Sequence, residues 1–512
     1  MRETVIVFDF GSQTAQLIAR RIRELGVYCE IVRHDTPSDE LAARKPTAIV
    51  LSGGPSSVLD EGHPAMDAGI SLLNIPILGI CYGMQLLALL LKGQVEKGTQ
   101  GEYGPAQIEI TKHSTIFDNM GSHLDVWMSH GDHVTEPPEG FEVLARTASC
   151  SVAAMGNVGR KIYGVQFHPE VVHTPRGIEL LRNFLYTVAR CRGGWTMETF
   201  IEESVQSIKK RVKDSNVVCG LSGGIDSAVV AALIDRAVGK QMKAVFVDNG
   251  LLRANEVEEI RSIFSEDYPL DVTIADARDR FLDALKGVID PEKKRKAIGE
   301  TFIDVFRDET VNLENADFLA QGTLYPDVIE SQSAHGGPSA MIKSHHNVGG
   351  LPDDLDFELL EPLRELFKDE VRRLGRELGL PERLLKRQPF PGPGLAVRLI
   401  GEVTKEDLAT LRHADLIVQE EMEQYEKYED IWQSFAVLLP VKSVGVMGDE
   451  RTYANVVAIR AVSSMDGMTA DWVKLPHDLL GRISSRIINE VKGVNRVCYD
   501  ISSKPPGTIE WE

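Results

Sequence analysis

The chain has 512 residues, 43% of them hydrophobic and 26% charged, a composition that needs no long disordered part and a length that suggests about three domains. Its formal charge of −20 repels polyanions, and no basic block stands out beyond Lys293-Lys294-Arg295-Lys296, so neither nucleic acid nor a membrane surface is expected as a partner. The six cysteines are scattered without a Cys-x-x-Cys pair, the first ten residues carry no leader signature, and the longest leucine-rich piece, Leu86 to Leu91, is too short to span a bilayer; a cytoplasmic protein is expected, with neither a disulfide framework nor a zinc site indicated.

Thr4 to Phe10 reads as a buried strand and Gln16 to Leu25 as the helix after it, closed by Gly26. Tyr28 to Val32 and Ala48 to Ser52 repeat the strand pattern, and Ile75 to Ile80 runs into a helix beginning near Cys81. Strands alternating with helices predict a mostly parallel open sheet with function at the carboxyl ends of its strands, where Gly53-Gly54, Cys81 and His168 would fall. The first domain is expected over residues 1–190. The pattern breaks around Cys191 to Trp195, and a helix from Met197 to Lys213 leads into the strand Asn216 to Leu221. Lys243 to Asp248 and Ala316 to Gln321 continue a second parallel α/β unit, expected over 195–387. Gln388-Pro389-Phe390-Pro391-Gly392-Pro393-Gly394 is stiff and irregular and marks the next boundary. The remainder, 388–512, mixes strand-like segments (Ser434 to Leu439, Ser443 to Met447, Asn455 to Val462) with helices near Leu408 to Tyr428 and Leu479 to Val491. The expected class is therefore α/β, with two doubly wound, mostly parallel-sheet domains followed by a smaller α+β C-terminal domain.

Gly79-Ile80-Cys81-Tyr82-Gly83 has the composition of a sharp strand-to-helix turn. A thiol attacks an amide as the thiolate, and the amino end of a helix favours that negative charge. The N–H groups of Tyr82 and of the Gly53-Gly54 turn would face a developing oxyanion. His168 and Glu170 are two apart, so on a strand both would point to one face, giving a general base and the carboxylate that orients it.

Ser222-Gly223-Gly224-Ile225-Asp226-Ser227 follows an apolar strand and precedes the helix Ala228 to Ala237. Its N–H groups and hydroxyls can meet a polyphosphate, and Asp226 is placed to hold Mg²⁺ against phosphate oxygens. No G-x-x-x-x-G-K-[ST] loop competes for that role. Gly322, in Gln321 to Asp327, ends another strand of the same unit, and Ile342-Lys343-Ser344-His345-His346-Asn347 offers a cation that could neutralise charge at phosphorus.

With these residues the chain resembles the glutamine-hydrolysing GMP synthases over essentially its full length. Gly79 to Gln85 and Gln166-Phe167-His168-Pro169-Glu170 are similar to class I glutamine amidotransferases, and the SGG-x-DS loop to ATP pyrophosphatases. Gln388 to Gly394 and Lys504-Pro505-Pro506-Gly507-Thr508-Ile509-Glu510-Trp511-Glu512 look particular to this family. The resemblance implies that Cys81, His168 and Glu170 release ammonia from glutamine, with Gly53, Gly54, Tyr82 and Gln85 at the oxyanion and the amide. It implies that ATP, a co-substrate, adenylates the 2-oxygen of XMP and that ammonia then displaces AMP to give GMP. By the same likeness Ser222 to Ala228 (including Ile225), Val247, Phe302, Gly322 and Lys343 would bind ATP, Asp226 would bind Mg²⁺, and Arg295, Gln388, Phe390, Gly392, Lys504 and Glu510 would hold XMP. A homodimer built on the C-terminal domain is implied as well. A glutamine-dependent NAD synthetase would share the SGG loop, but its glutaminase uses a Cys, Glu and Lys set that Cys81, His168 and Glu170 do not match.

Overall fold

The computed structural model describes residues 2–12, 14–310, 316–333, 357–447, 450–464, 467 and 469–512. They form two compact units, Met1–Thr199 and Phe200–Glu512. In the first unit the strands are β1 (Val5–Asp9), β2 (Cys29–Arg33), β3 (Ala48–Leu51), β4 (Ile77–Ile80), β5 (Gln94–Ile110), β6 (His123–Glu136), β7 (Glu142–Arg146), β8 (Ala154–Asn157) and β9 (Ile162–Val165). They build a single sheet in the order β2-β1-β3-β4-β9-β8-β7-β5-β6.

From β2 to β9 every pairing is parallel. The inner strands β3, β4 and β9 are unbroken apolar runs, buried at every position because both faces are covered, whereas the edge strand β2 carries Glu30 and Arg33. The helix Thr14–Glu24 buries Ala15, Ile18, Ala19 and Ile22, the spacing of one helical face. From β9 outward the pairings are antiparallel. Turns rather than helices join these strands, so each returns beside its neighbour. Burial alternates along β6, the mark of a sheet with one covered face.

The second unit contains a parallel sheet of β10 (Asn216–Leu221), β11 (Met242–Asp248), β12 (Val272–Asp276), β13 (Ala316–Ala320) and β14 (Glu358–Leu360), in the order β12-β11-β10-β13-β14. The chain leaves β10 toward β11 on one side and returns as β13 on the other, so a crevice opens at the carboxyl end of β10. A second sheet follows, with β15 (Gln433–Met447) antiparallel to β16 (Glu450–Ser463), the short β17 (Asp471–Trp472) beside it, and β18 (Val494–Asp500) parallel to β16. The two strand-like segments expected at 434–439 and 443–447 are one strand with an irregular register between Leu439 and Lys442, where Pro440 cannot donate to the ladder. One core cluster reaches from Val218 and Val245 to Val457 and Ile459 and takes in the helices Lys405–Glu423 and His477–Glu490.

The α/β class holds, and the antiparallel half of the first sheet adds what strand patterning alone did not resolve. Gly83 shows how tightly the parallel half is packed: a Cβ there would lie 2.5 Å from the Leu51 carbonyl oxygen. Gly83→Ala should therefore lift the helix Tyr82–Leu90 (β4's continuation) off β3 and destabilise the first unit by about 1–3 kcal/mol. A lowered thermal midpoint by calorimetry is the expected outcome, and an unchanged one would show that the helix moves aside without cost.

Candidate functional site

Cys81 sits between β4 and the helix Tyr82–Leu90 with φ 52° and ψ −107°, a backbone conformation that side chains rarely adopt. Its neighbours enforce that turn. A Cβ on Gly79 would stand 2.7 Å from the Gly83 carbonyl group and the Met84 nitrogen, so only glycine allows this close a return. The Cys81 N–H bonds the Val165 carbonyl and the Gly83 N–H bonds the Ser52 carbonyl. Among the described residues the Tyr82 N–H, at the first position of the helix, has no acceptor.

His168 and Glu170 do not lie on a strand. β9 ends at Val165, and both residues belong to the turn beyond it. They meet because the turn is pinned. The His168 N–H bonds the Trp127 carbonyl, the Thr174 hydroxyl bonds the His168 carbonyl at 2.6 Å, and the Trp127 N–H returns to the Thr174 hydroxyl. Arg21 Nε holds the Glu170 carbonyl. His168 Nδ1 then lies 2.7 Å from Glu170 Oε1, with the carboxylate fully buried. Burial works against a charged ring, but hydrogen bonding to Cys81 and to Glu170, and the charges of both, push the His168 imidazole up to about 10.

Gly53 and Gly54 close the other side. A Cβ on Gly53 would be 3.1 Å from His168 Cε1, and one on Gly54 would be 3.1 Å from the Tyr82 ring. Tyr82 is buried, packs its ring at a tilt against Phe10 and donates its hydroxyl to the Pro64 carbonyl at 2.6 Å. Gln85 is also buried; its amide donates to the Asp132 carbonyl at 2.7 Å and lies 3.3 Å from Gln166 Oε1. Gln166 in turn donates toward Cys81 Sγ at 3.7 Å, and the sulfur is 3.6 Å from the Ser129 carbonyl oxygen. Sequence reading missed Trp127, Ser129 and Thr174 as supports of this site, because the first two come from β6 and the third from the turns after β9, and none carries a local motif.

In the second unit the Ser222–Ser227 loop lies in the crevice at the end of β10. Gly223 has φ 77°, and Gly224 caps the helix Ile225–Val238. The Ser222 N–H bonds Ser227 Oγ at 3.1 Å, and Ser227 Oγ donates to the Gly224 carbonyl. Asp226 Oδ2 pairs with Lys368, whereas its Oδ1 is buried with no hydrogen-bond partner among the described residues. Arg387 reaches the Gly223 carbonyl at 2.7 Å and pairs with Glu256 and Glu259. Neither Lys368 nor Arg387 has a sequence signal, since each lies far along the chain from the loop it touches. A Cβ on Gly322 would be 3.3 Å from that of Asp226, so this glycine backs directly onto the loop. Ala228 and Val247 are buried, and Phe302 packs against the core cluster that contains Val247. Lys343, with Ser344 to Asn347, lies outside the described residues. A cavity of about 570 Å³ opens beside Glu256, lined by Asp248, Arg253, Arg278 and Arg412 among others.

Near the chain's end, Glu510 receives Arg398 through two bonds of 2.9 and 3.0 Å and Gln433 at 2.8 Å. Phe390 lies under the guanidinium groups of Arg253 and Arg398, and Gln388 Oε1 accepts from Ser434. Arg295 donates to the Glu512 carbonyl oxygen, and Lys504 to the Gly467 carbonyl. A Cβ on Gly392 would meet open space. Glu510, Gln388 and Phe390 thus share one network with Arg398, Gln433 and Ser434, while Arg295 and Lys504 make separate contacts.

A family described as glutamine amidotransferase class-I matches residues 6–188, NAD synthase matches 196–290, and GMP synthase C terminal domain matches 420–511. The GMP synthase [glutamine-hydrolyzing] of Brachyspira hyodysenteriae is 57% identical over 510 residues, covering 100% of this chain and 99% of that one. Those of Nitratidesulfovibrio vulgaris and Caldanaerobacter subterraneus are 57% and 55% identical, covering 99% and 100% of this chain and 99% of each of theirs.

The buried pair supplies a direct pH test. The folded-state pKa of His168 is raised, so its stabilising effect is complete below the ordinary value of about 6.5 and fades as pH rises through about 10. Glu170→Gln should move the imidazole back toward its usual range, seen by NMR titration of the ring. The stability deficit of that variant should be full below about pH 6.5 and narrow as pH rises toward about 10; an unshifted ring titration would show that Glu170 does not hold the proton.

Proposed function

The chain belongs to the glutamine-hydrolysing GMP synthases, ATP-dependent carbon–nitrogen ligases, and on that premise we propose how its residues divide the work. The reading of the first unit rests on the buried line of Cys81, His168 and Glu170 beside an unpaired helix N–H. Cys81 attacks the side-chain carbonyl carbon of glutamine as thiolate, and the negative oxygen faces the Tyr82 N–H and the Gly53-Gly54 turn. The His168 imidazolium gives its proton to the nitrogen as the C–N bond breaks, so ammonia leaves. Water, deprotonated by the now neutral ring, hydrolyses the thioester to glutamate. Gln85 acts through Gln166 on the sulfur in this reading, as a positioning residue, because its amide is already engaged.

In the second unit the 2-oxygen of XMP attacks the α-phosphorus of ATP, and pyrophosphate leaves toward the Ser222–Ser227 loop and its helix. Val247 and Phe302 border the adenine. Arg295, Gln388, Phe390, Gly392, Lys504 and Glu510 form the XMP side, the reading supported by the network of Glu510, Gln388 and Phe390. Ammonia then attacks the activated carbon and AMP departs. The unpartnered, buried Oδ1 of Asp226 fits a divalent cation, and Mg²⁺ held there would supply charge neutralisation at the phosphate oxygens. Lys368 is placed to neutralise the same carboxylate when no cation is present.

Three domains, 1–190, 195–387 and 388–512, carry glutaminase, adenylation, and dimerisation with XMP binding in this reading. The substrates are small molecules and nucleic acid is not a partner, in keeping with the charge of −20. All six cysteines are free thiols, which suits a cytoplasmic location, and no described helix is long and apolar enough to cross a membrane. The dimer is supported by Val441, Val444, Val446 and Tyr453, exposed apolar residues along the β15–β16 hairpin.

Cys81→Ala should lower glutamine-driven GMP formation by on the order of 10³-fold or more while synthesis from added ammonium persists. Product analysis of GMP, AMP and pyrophosphate decides it, and loss of both activities would overturn the division of labour. Val446→Asp should shift the protein from dimer to monomer in analytical ultracentrifugation; a dimer that persists at low micromolar concentration would place the interface elsewhere.

A further inference from the structure

Away from the catalytic residues, three side chains of different chemistry converge in the first unit. Glu102 and His130 are register partners across the β5–β6 ladder, and Cys150 ends the turn that begins at Thr147. One ligand atom from each lies within 4.8 Å of the other two. His130 and Cys150 are buried and Glu102 is partly exposed, so the cluster is walled on one side and reachable from the other.

The hydrogen bonding leaves an unbalanced pair. His130 Nδ1 is 3.0 Å from the Asp132 carbonyl oxygen, which can only accept, so Nδ1 carries the proton. Nε2 faces Glu102 Oε2 at 3.2 Å. A neutral ring would set its lone pair against the lone pairs of a carboxylate, and a cation between them removes that conflict. It is either a second proton on the ring or a metal ion. A proton needs no third ligand, whereas a metal does, and the buried sulfur of Cys150 supplies one.

We propose that Glu102, His130 and Cys150 form a binding site for a thiophilic divalent cation of the zinc class. Zinc takes carboxylate oxygen, imidazole nitrogen and thiolate sulfur at about 2.0–2.3 Å, which sets neighbouring ligand atoms about 3.5 Å apart. Closing the cluster from its present spacing requires side-chain shifts of about 1 Å. The ligands are already oriented for it. Thr147 and Ser149 hydroxyls hold Glu102 Oε1, and the Asp132 carbonyl fixes the histidine tautomer that leaves Nε2 free to ligate. On uptake the Cys150 S–H bond breaks, the sulfur bonds the cation and one proton leaves to solvent, with no change of oxidation state. The Asp132 carbonyl also accepts from Gln85, which meets Gln166 and through it Cys81.

Full-length Cys81→Ala protein, in which the thiol of the glutaminase site is removed, is stripped with a chelator and titrated with Co²⁺ as a spectroscopic substitute for Zn²⁺. A thiolate-to-cobalt charge-transfer band that saturates stoichiometrically, disappears on adding Zn²⁺ and is lost in the further variants Cys150→Ser and His130→Asn is the expected result. Circular dichroism establishes that those variants are folded. A folded Cys81→Ala protein with no saturable band, measured without any change at the cluster itself, overturns the proposal and leaves a shared proton as the cation; so does a band that survives Cys150→Ser.

Discussion

An α-helix leaves its first N–H groups without intrahelical acceptors, and each unit of this protein aims such an end out of a buried parallel strand. In the first unit β4 passes into its helix through Cys81, whose left-handed backbone costs on the order of 1–3 kcal/mol. The cost is met by packing. Gly79 and Gly83 let the strand, the turn and β3 approach so closely that the thiol has one place to go. In the second unit β10 passes through Gly223 and Gly224 into the helix Ile225–Val238, and the positive φ of Gly223 falls on a residue without a Cβ to clash. A cysteine therefore bears the strain in one unit, while glycine absorbs it in the other.

The two sites complete themselves with opposite charges. Beside the sulfur of Cys81, a fully buried carboxylate behind His168 keeps that ring charged. Around the loop at Ser222 cations gather: Lys368 on Asp226 and Arg387 on the Gly223 carbonyl. Cations also anchor the chain's last residues. Arg398 and Lys294, both fully buried, bind Glu510 and Glu512, and Arg460 holds the Ser502 and Thr508 carbonyls. Removing one member of such a buried pair leaves a charge without compensation, a loss of about 3–5 kcal/mol. The residues read as the XMP side thus stand on the same ion pairs that fasten the terminus.

Much of this was legible in advance because it rests on local patterns. Apolar runs marked β1, β3, β4 and β10, and the glycines around Cys81 and in the SGG loop marked turns that only certain backbones can make. His168 and Glu170 were expected on one face of a strand. They lie beyond β9, and their pairing depends instead on Trp127 and Thr174, which no spacing connects to them. The scattered cysteines gave no sign of the cluster of Glu102, His130 and Cys150, since these belong to three segments that only the antiparallel half of the sheet brings together.

The amino-acid sequence by itself determined the α/β alternation, the two strand-to-helix turns and the family, because periodicity, glycine placement and short motifs act over a few residues. Tertiary structure alone decided what surrounds those turns. Lys368 beside Asp226, Gln166 beside Cys81 and Glu102 beside His130 are contacts between residues far apart in the chain. They exist because strand order and register set which side chains face one another, and no local pattern encodes that order.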